Sequence, residues 1–198
     1  GALRTLLQST GNLHGPAPSS GHIWFAWDVH GNTDLYTLDL RTGKRTRQTT
    51  HPAADLSPAP SPDGTQVAFI SDRLGNPYLF LLDTTTKETR PLLVDGAYIG
   101  EPAWSPDGKW ITFVHRDRAG RTRIAVIDPG TGKFRFVTRE LDDTVESPSW
   151  GADSRSILFS RLGDKGYDIW KTDRVTLKTT RITAFAGDAR MPAWHTTR

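Results

Sequence analysis

A pattern of about 45 residues repeats along this chain and restricts the possible folds more than any other feature. Its clearest element, Pro-Ala-x-Ser-Pro-Asp-Gly, has copies at 58–64 and 102–108, a degenerate copy at 148–154 and a truncated copy at 192–194. The prolines that open these copies are 44, 46 and 44 residues apart. A weaker copy begins at Pro16. A fixed period of this length is typical of solenoids and propellers, in which each repeat is one supersecondary unit.

Three more short elements follow the first in each copy, and all have the composition of β-strands. They are rich in β-branched and aromatic residues, as in 67–70 and 111–114, and are bounded by Gly, Pro, Asp or Thr. No segment shows a sustained helical period. The sequence therefore predicts an all-β fold in which each repeat is a four-stranded antiparallel meander, and repeats of this kind stacked around an axis form a β-propeller.

Aspartates recur at two positions of the repeat where the chain must turn. Asp63 and Asp107 each precede a glycine, which suits a tight hairpin turn with positive φ. The third predicted strand ends in an aspartate in every copy, and a threonine follows three residues later; these aspartates are Asp39, Asp83, Asp128 and Asp173. Such side chains accept hydrogen bonds from nearby backbone N–H groups, so we predict a structural role in turns.

We interpret 1–198 as a single β-propeller domain with repeats at approximately 16–57, 58–101, 102–147 and 148–191. Residues 3–8 look like the last strand of a preceding repeat, and 192–194 like the first strand of a following one. The four full repeats favour a closed four-bladed ring, because an open arc exposes unpaired sheet faces. A part of a larger propeller and a ring completed by a second chain remain alternatives, and a monomer is preferred over self-association through the ends.

Composition excludes several classes of protein. The 198 residues include no cysteine, so there is no disulfide framework, thiol nucleophile or cysteine-ligated zinc site. The 25 basic and 22 acidic residues are intermixed, which does not favour nucleic-acid binding. No apolar run approaches the length of a membrane span. The six histidines have no metal-site spacing, and we expect neither a metal nor a cofactor.

The segment Pro102-Ala-Trp-Ser-Pro-Asp-Gly-Lys-Trp-Ile-Thr-Phe113 resembles the WD-repeat-like units of TolB-type propellers. The resemblance extends over about 16–194, although the first repeat lacks the aspartate and tryptophan of the motif. It implies a bacterial periplasmic or otherwise extracytoplasmic protein that serves as a non-catalytic protein–protein interaction scaffold. This implication is an analogy of fold, because the shared residues form turns and core.

Three tryptophans share one position of the repeat: Trp104, Trp150 and Trp194. We predict that they pack between blades, with the indole N–H bound to a neighbouring backbone group.

Candidate binding residues lie just before the first strand of each repeat. They are His14, Asp55, Glu101, Glu146 and Arg190. In a propeller the loops that link successive blades meet on one face around the central channel, and these residues vary while the framework stays constant. They therefore suit a surface that binds a protein or peptide partner. A solvated funnel without a ligand explains the pattern equally well.

The sequence leaves two enzymatic alternatives open. No Gly-x-Ser-x-Gly motif occurs, so the chain could at most be the propeller part of a larger hydrolase of the prolyl oligopeptidase type. A propeller lyase or glycosidase would have to use His14, Glu101, Glu146 and Arg190.

Four arginines cluster at Arg116, Arg118, Arg121 and Arg123; we interpret them as a solvated rim, with contact to an acidic partner or phosphate as the alternative.

Overall fold

The computed structural model describes residues 11–29, 31–138, 144–183 and 187–194, and the regular elements in these ranges are sixteen β-strands. They are β1 (Leu13–Ser19), β2 (His22–Val29), β3 (Asn32–Asp39), β4 (Arg45–Arg47), β5 (Asp55–Pro60), β6 (Gln66–Ser71), β7 (Tyr78–Asp83), β8 (Thr89–Leu92), β9 (Tyr98–Trp104), β10 (Ile111–Arg116), β11 (Thr122–Ile127), β12 (Phe134–Phe136), β13 (Val145–Trp150), β14 (Ser156–Gly163), β15 (Gly166–Asp173) and β16 (Thr179–Arg181).

The strands form four separate sheets, each of four strands that pair antiparallel in the order of the sequence. The first sheet contains β1–β4, the second β5–β8, the third β9–β12 and the fourth β13–β16. This confirms the predicted all-β architecture of four-stranded blades. Each sheet is formed by four strands that follow one another in the chain, so one sheet forms for each copy of the repeated pattern.

Turns after the third strand use the aspartate that the repeat places there. One carboxylate oxygen accepts hydrogen bonds from the backbone N–H groups two and three residues later; this holds for Asp39, Asp83, Asp128 and Asp173. Four residues after the aspartate, the chain has a positive φ of 71° at Gly132 and of 58° at Leu177. Glycine adopts this conformation without steric cost, whereas leucine does not.

The hairpin between the first and second strands has its own turn aspartates. Asp63 accepts hydrogen bonds from the Ser61 hydroxyl, at 2.6 Å, and from the Thr65 backbone N–H, at 3.1 Å. Asp107 makes the same contacts with Ser105 and Lys109, at 2.6 and 3.1 Å. The two turns therefore satisfy polar groups within the hairpin itself.

The core consists of apolar clusters between neighbouring sheets. Trp24, Phe69 and Phe80 belong to the cluster that joins the first and second sheets. Ile70, Leu79 and Phe113 represent the cluster between the second and third sheets. Val126, Trp150 and Phe159 do so between the third and fourth sheets. A further cluster of buried residues, Phe25, Tyr36 and Leu38, lies within the first sheet.

Contacts between sheets follow the order of the sequence. The first strands are neighbours, because β1 packs against β5, β5 against β9 and β9 against β13. Within the described ranges, no comparably extensive contact joins strands of the fourth sheet to those of the first, so closure of the ring stays a prediction. The predicted strand at 3–8 lies outside the described residues, and 192–194 are described without strand assignment.

No helix in the described part of the chain is both long and apolar enough to cross a membrane.

Candidate functional site

The first strand of every sheet carries a β-bulge directly before the proline that opens the repeat. The residue at the bulge has a φ between 51° and 55° in all four sheets: Gly15, Ser57, Glu101 and Ser147. Met191, at the same place before Pro192 but outside any strand, has a φ of 55°. Positive φ is uncommon for residues other than glycine. A bulge bends its strand and redirects the neighbouring side chains. Here the affected strands are the first strands of the sheets, β1, β5, β9 and β13, which we call the inner strands.

The structure brings together three of the five predicted binding residues. Glu101 accepts a hydrogen bond from the backbone N–H of Ser147, which ties the bulge of β9 to that of β13. Oε1 of Glu146 lies 3.7 Å from Nη1 of Arg190, which follows the fourth sheet. Because Glu146 directly precedes Ser147, the two carboxylates and the guanidinium form one continuous group.

Two tyrosines belong to the same group, and the sequence analysis did not identify them. The guanidinium carbon of Arg190 lies 3.7 Å from the centre of the Tyr167 ring, and Tyr167 is buried. Arg116 lies 5.2 Å from the ring centre of Tyr98, which sits at the start of β9. Neither tyrosine has a counterpart in every repeat, which is why the repeat pattern alone did not select them. We call Tyr98, Glu101, Glu146, Tyr167 and Arg190 the inner-strand cluster.

Burial and charge shift the ionisation of this cluster. Burial raises the pKa of Glu101; the hydrogen bond from the Ser147 N–H opposes this effect, and the nearby Glu146 carboxylate adds to it. Burial also raises the pKa of Tyr98, and the negative charge of Glu101 raises it further. The pKa of Tyr167 is raised by burial and then by Glu146. The cluster thus holds partly desolvated acidic groups beside one arginine.

Asp55 lies elsewhere, inside the second sheet, where it is fully buried. Both of its carboxylate oxygens accept hydrogen bonds from Nη2 of Arg73, at 2.8 and 2.9 Å. The register explains the difference: Asp55 pairs with Ser71 as Val145 pairs with Arg161, so Asp55 occupies the buried position that precedes Glu146. Side chains alternate between the two faces of a strand, and we assign Asp55 to the framework.

His14 shares the register position of Glu146 but belongs to the first sheet. It pairs with Ala26 as Glu146 pairs with Ser160, and its side chain is exposed. The structure therefore places His14 at the corresponding position of another blade, apart from Glu101, Glu146 and Arg190.

The repeated tryptophans connect neighbouring sheets through their indole groups. Trp104 donates from Nε1 to the Ala59 carbonyl at 2.9 Å, and Trp150 donates to the Ala103 carbonyl at 3.0 Å. Trp194 is 42% exposed and packs against Gly151, where its ring lies 3.1 Å from the position that a Cβ atom would occupy. The indole N–H groups of Trp104 and Trp150 thus bind the backbone of the preceding sheet.

Within the described ranges, no three His, Asp or Glu side chains are grouped as a metal site would require.

Comparison with known proteins assigns the family. The model of the TolB beta propeller domain matches residues 3–198. The chain belongs to the TolB β-propeller family. The curated Tol-Pal system protein TolB 1 of Novosphingobium aromaticivorans is 38% identical over 77 residues, which cover 38% of this chain and 16% of that protein.

Solved structures agree in fold. TolB from Acinetobacter baumannii superposes with a TM-score of 0.81 at 26% identity, over 91% of this chain and 45% of that one. A putative TolB from Agrobacterium tumefaciens gives a TM-score of 0.83 at 24% identity, over 96% of this chain and 68% of that one. The chain thus covers less than half of the Acinetobacter TolB.

Proposed function

We propose that this chain is a non-catalytic interaction module that binds a protein or peptide partner through the inner-strand cluster. The observation that carries the proposal is that Glu101 accepts a hydrogen bond from the backbone next to Glu146, and that Glu146 lies 3.7 Å from Arg190, in a TolB-family propeller. These positions differ from repeat to repeat, whereas the turns and core stay constant. Variable side chains on a rigid framework are the usual basis of a specific binding surface.

The chemistry of the cluster supports a polypeptide ligand. Glu146 and Arg190 are 25% and 47% exposed in their side chains, so each can still reach a partner. Tyrosine and arginine are enriched among the residues that dominate protein–protein binding energy. The two carboxylates accept hydrogen bonds from backbone N–H or basic side chains, and Arg190 recognises a carboxylate or carbonyl group.

The relationship to a TolB of a Tol-Pal system supports a component of such a system as the partner. It also supports a bacterial, periplasmic location for this chain. We further propose that the chain is monomeric, so light scattering should give a mass near 22.0 kDa. A mass of about twice this value would instead support the alternative in which a second chain completes the propeller.

The proposal is tested by measuring binding of the purified soluble components of the Tol-Pal system of the source organism by isothermal titration calorimetry. We expect one of them to bind, and the double variant Glu146→Ala, Arg190→Ala to weaken binding at least about 10-fold, because clustered polar contacts at the centre of an interface contribute strongly. Glu88→Ala is the matched control: Glu88 is exposed in the hairpin before β8 and lies outside the cluster.

Three results would contradict the proposal. The first is that none of the components binds. The second is that the double variant binds as tightly as the original protein, and the third is that Glu88→Ala weakens binding as much as the double variant does. Catalysis is tested on the same preparation with oligosaccharide and peptide substrates. Turnover that Glu101→Ala and Glu146→Ala abolish would replace the interaction module with the enzymatic alternative.

A further inference from the structure

A pocket lies beside the third sheet, next to the loop that connects it to the second. Its volume is about 530 Å³, and its lining includes Gly96, His115, Arg118, Arg121, Phe134 and Phe136. These residues, which we call the third-sheet pocket, lie outside the inner-strand cluster. The pocket lining contains three of the four clustered arginines, Arg118, Arg121 and Arg123, which the sequence analysis left between a solvated rim and an acidic contact.

A pocket of about 560 Å³ beside the second sheet, lined in part by Arg73 and Thr89, provides a comparison. There, Arg73 donates from Nε to Ser71, from Nη1 to Thr89 and from Nη2 to Asp55, at 2.8–3.0 Å. Every nitrogen of that guanidinium is therefore used inside the second sheet. A cation bound in this way stabilises the blade and is not available to a ligand.

The third sheet replaces this polar network with aromatic rings. By strand register, Ile99 stands where the second sheet has Asp55, and His115 stands where it has Ser71. Phe134 likewise corresponds to Thr89. The His115 ring lies 5.0 Å from that of Phe136 and 6.4 Å from that of Phe134. The result is an aromatic surface at a position that is internally paired in the neighbouring blade.

His115 forms the buried part of this surface. Its Nε2 lies 2.6 Å from the Asp95 carbonyl and donates to it. Its Nδ1 is buried and has no hydrogen-bond partner among the residues that the structure describes. An unpaired buried ring nitrogen is destabilising, so a water or a ligand group that donates a hydrogen bond to Nδ1 would stabilise this site.

The rim of the pocket is basic. Arg118 is 86% exposed and lies 3.7 Å from Asp95, which is also exposed. Arg121 pairs with Asp117 at 2.9 Å, and Arg123 lies 3.5 Å from the centre of the Phe136 ring. The three arginines outnumber the two aspartates of the lining, and the excess positive charge attracts an acidic ligand.

We propose that the third-sheet pocket binds an acidic peptide segment of a partner protein that inserts an aromatic side chain. The aromatic anchor packs against Phe134 and Phe136, and the flanking carboxylates contact Arg118 and Arg121. Anchors of this kind, surrounded by charged contacts, are the usual energetic centre of a peptide interface. The pocket is independent of the inner-strand cluster, so the two sites are tested separately.

The probe is a fluorescein-labelled peptide with a central tryptophan flanked by two aspartates on each side, and binding is followed by fluorescence anisotropy. We expect saturable binding that weakens about 10-fold in Phe134→Ala and in a peptide with alanine at the centre, because each removes the aromatic contact. Arg118→Glu should weaken binding about 5-fold and reduce its salt dependence. Arg41→Glu, an exposed charge reversal on the first sheet, is the matched control and should leave the affinity unchanged.

Circular dichroism of each variant verifies that the β-fold is retained before binding is compared. Absence of binding up to about 1 mM peptide, equal binding of a control peptide in which lysines replace the four aspartates, or unchanged affinity in a folded Phe134→Ala variant would overturn the proposal. Glu146→Ala should leave the affinity for this peptide unchanged. A loss in that variant would place the peptide on the inner-strand cluster and also overturn the proposal.

Discussion

The third and fourth sheets are built from the same repeated pattern, yet they differ in what packs against the side that faces the next repeat. Val137 and Ile182 occupy the same position of the repeat. Each donates its backbone N–H to the carbonyl of an isoleucine in the third strand of its sheet, Ile124 or Ile169. Val137 is 1% exposed because the fourth sheet packs on it, whereas Ile182 is 54% exposed. Trp150 and Trp194 differ in the same way, at 6% and 42%. An equal position in the repeat therefore does not imply an equal contribution to stability.

The largest expected effect tests this difference at the tryptophans. Trp150→Ala should lower the free energy of unfolding by about 3–5 kcal/mol, because it leaves a cavity between two sheets and removes the hydrogen bond to Ala103. Trp194→Ala should cost less than about 1 kcal/mol, since much of that ring is already exposed. Urea unfolding of both variants measures the difference. Equal losses would show that Trp194 is packed as tightly as Trp150.

A smaller effect is expected where the two sheets make the same turn with different residues. Leu177 has a φ of 58° at the position where the third sheet has Gly132. Leu177→Gly should increase the free energy of unfolding by up to about 1 kcal/mol, because glycine adopts this conformation without strain. The matched change Gly132→Ala should decrease it by about 1 kcal/mol.

Thermal and urea unfolding measure both turn variants. A loss of stability in Leu177→Gly would show that the packing of the leucine side chain outweighs its backbone strain. In that case, the turn of the fourth sheet would differ from that of the third in side-chain contacts as well.

The smallest effect concerns the turn aspartates and depends on pH. The Thr176 N–H lowers the pKa of Asp173 to about 2; burial opposes the shift, and the Val175 N–H and Arg155 add to it. A carboxylate with a lowered pKa stabilises the fold above its unfolded pKa, near 3.8, and this contribution is lost as the pH falls through 2. Asp173→Asn should therefore lower stability at pH 7, and the difference from the original protein should shrink in acid.

Asp128→Asn in the third sheet is the matched comparison. The Thr131 N–H also lowers the pKa of Asp128, but Asp173 has the additional ion pair with Arg155, at 2.6 Å. We expect NMR titration of the side-chain carboxyl carbons to show Asp173 losing its proton at the lower pH. The reverse order would mean that Arg155 contributes nothing at the exposed edge of the fourth sheet.

The sequence predicted the fold well because the repeat is carried by local chemistry. Asp39, Asp83, Asp128 and Asp173 form turns with groups two and three residues away, and period-two apolar strands need no distant information. The candidate site was harder to predict. Tyr98 and Tyr167 do not recur in the repeat, and Asp55 stands one register position away from Glu146. A one-residue offset at a bulge moves a side chain from the inner edge to the interior, and such an offset is not visible in a single sequence.

The amino-acid sequence by itself was enough to define four antiparallel blades and their family, because turn formation and strand periodicity depend on residues that are close in the sequence. Only the tertiary structure decided which equivalent positions are buried, that Glu101 and Glu146 lie near Arg190, and that His115 and Phe134 stand where the preceding blade has Ser71 and Thr89, two hydrogen-bond partners of Arg73. Burial and ion pairing depend on which sheet lies opposite, and that neighbour is more than 40 residues distant in the chain.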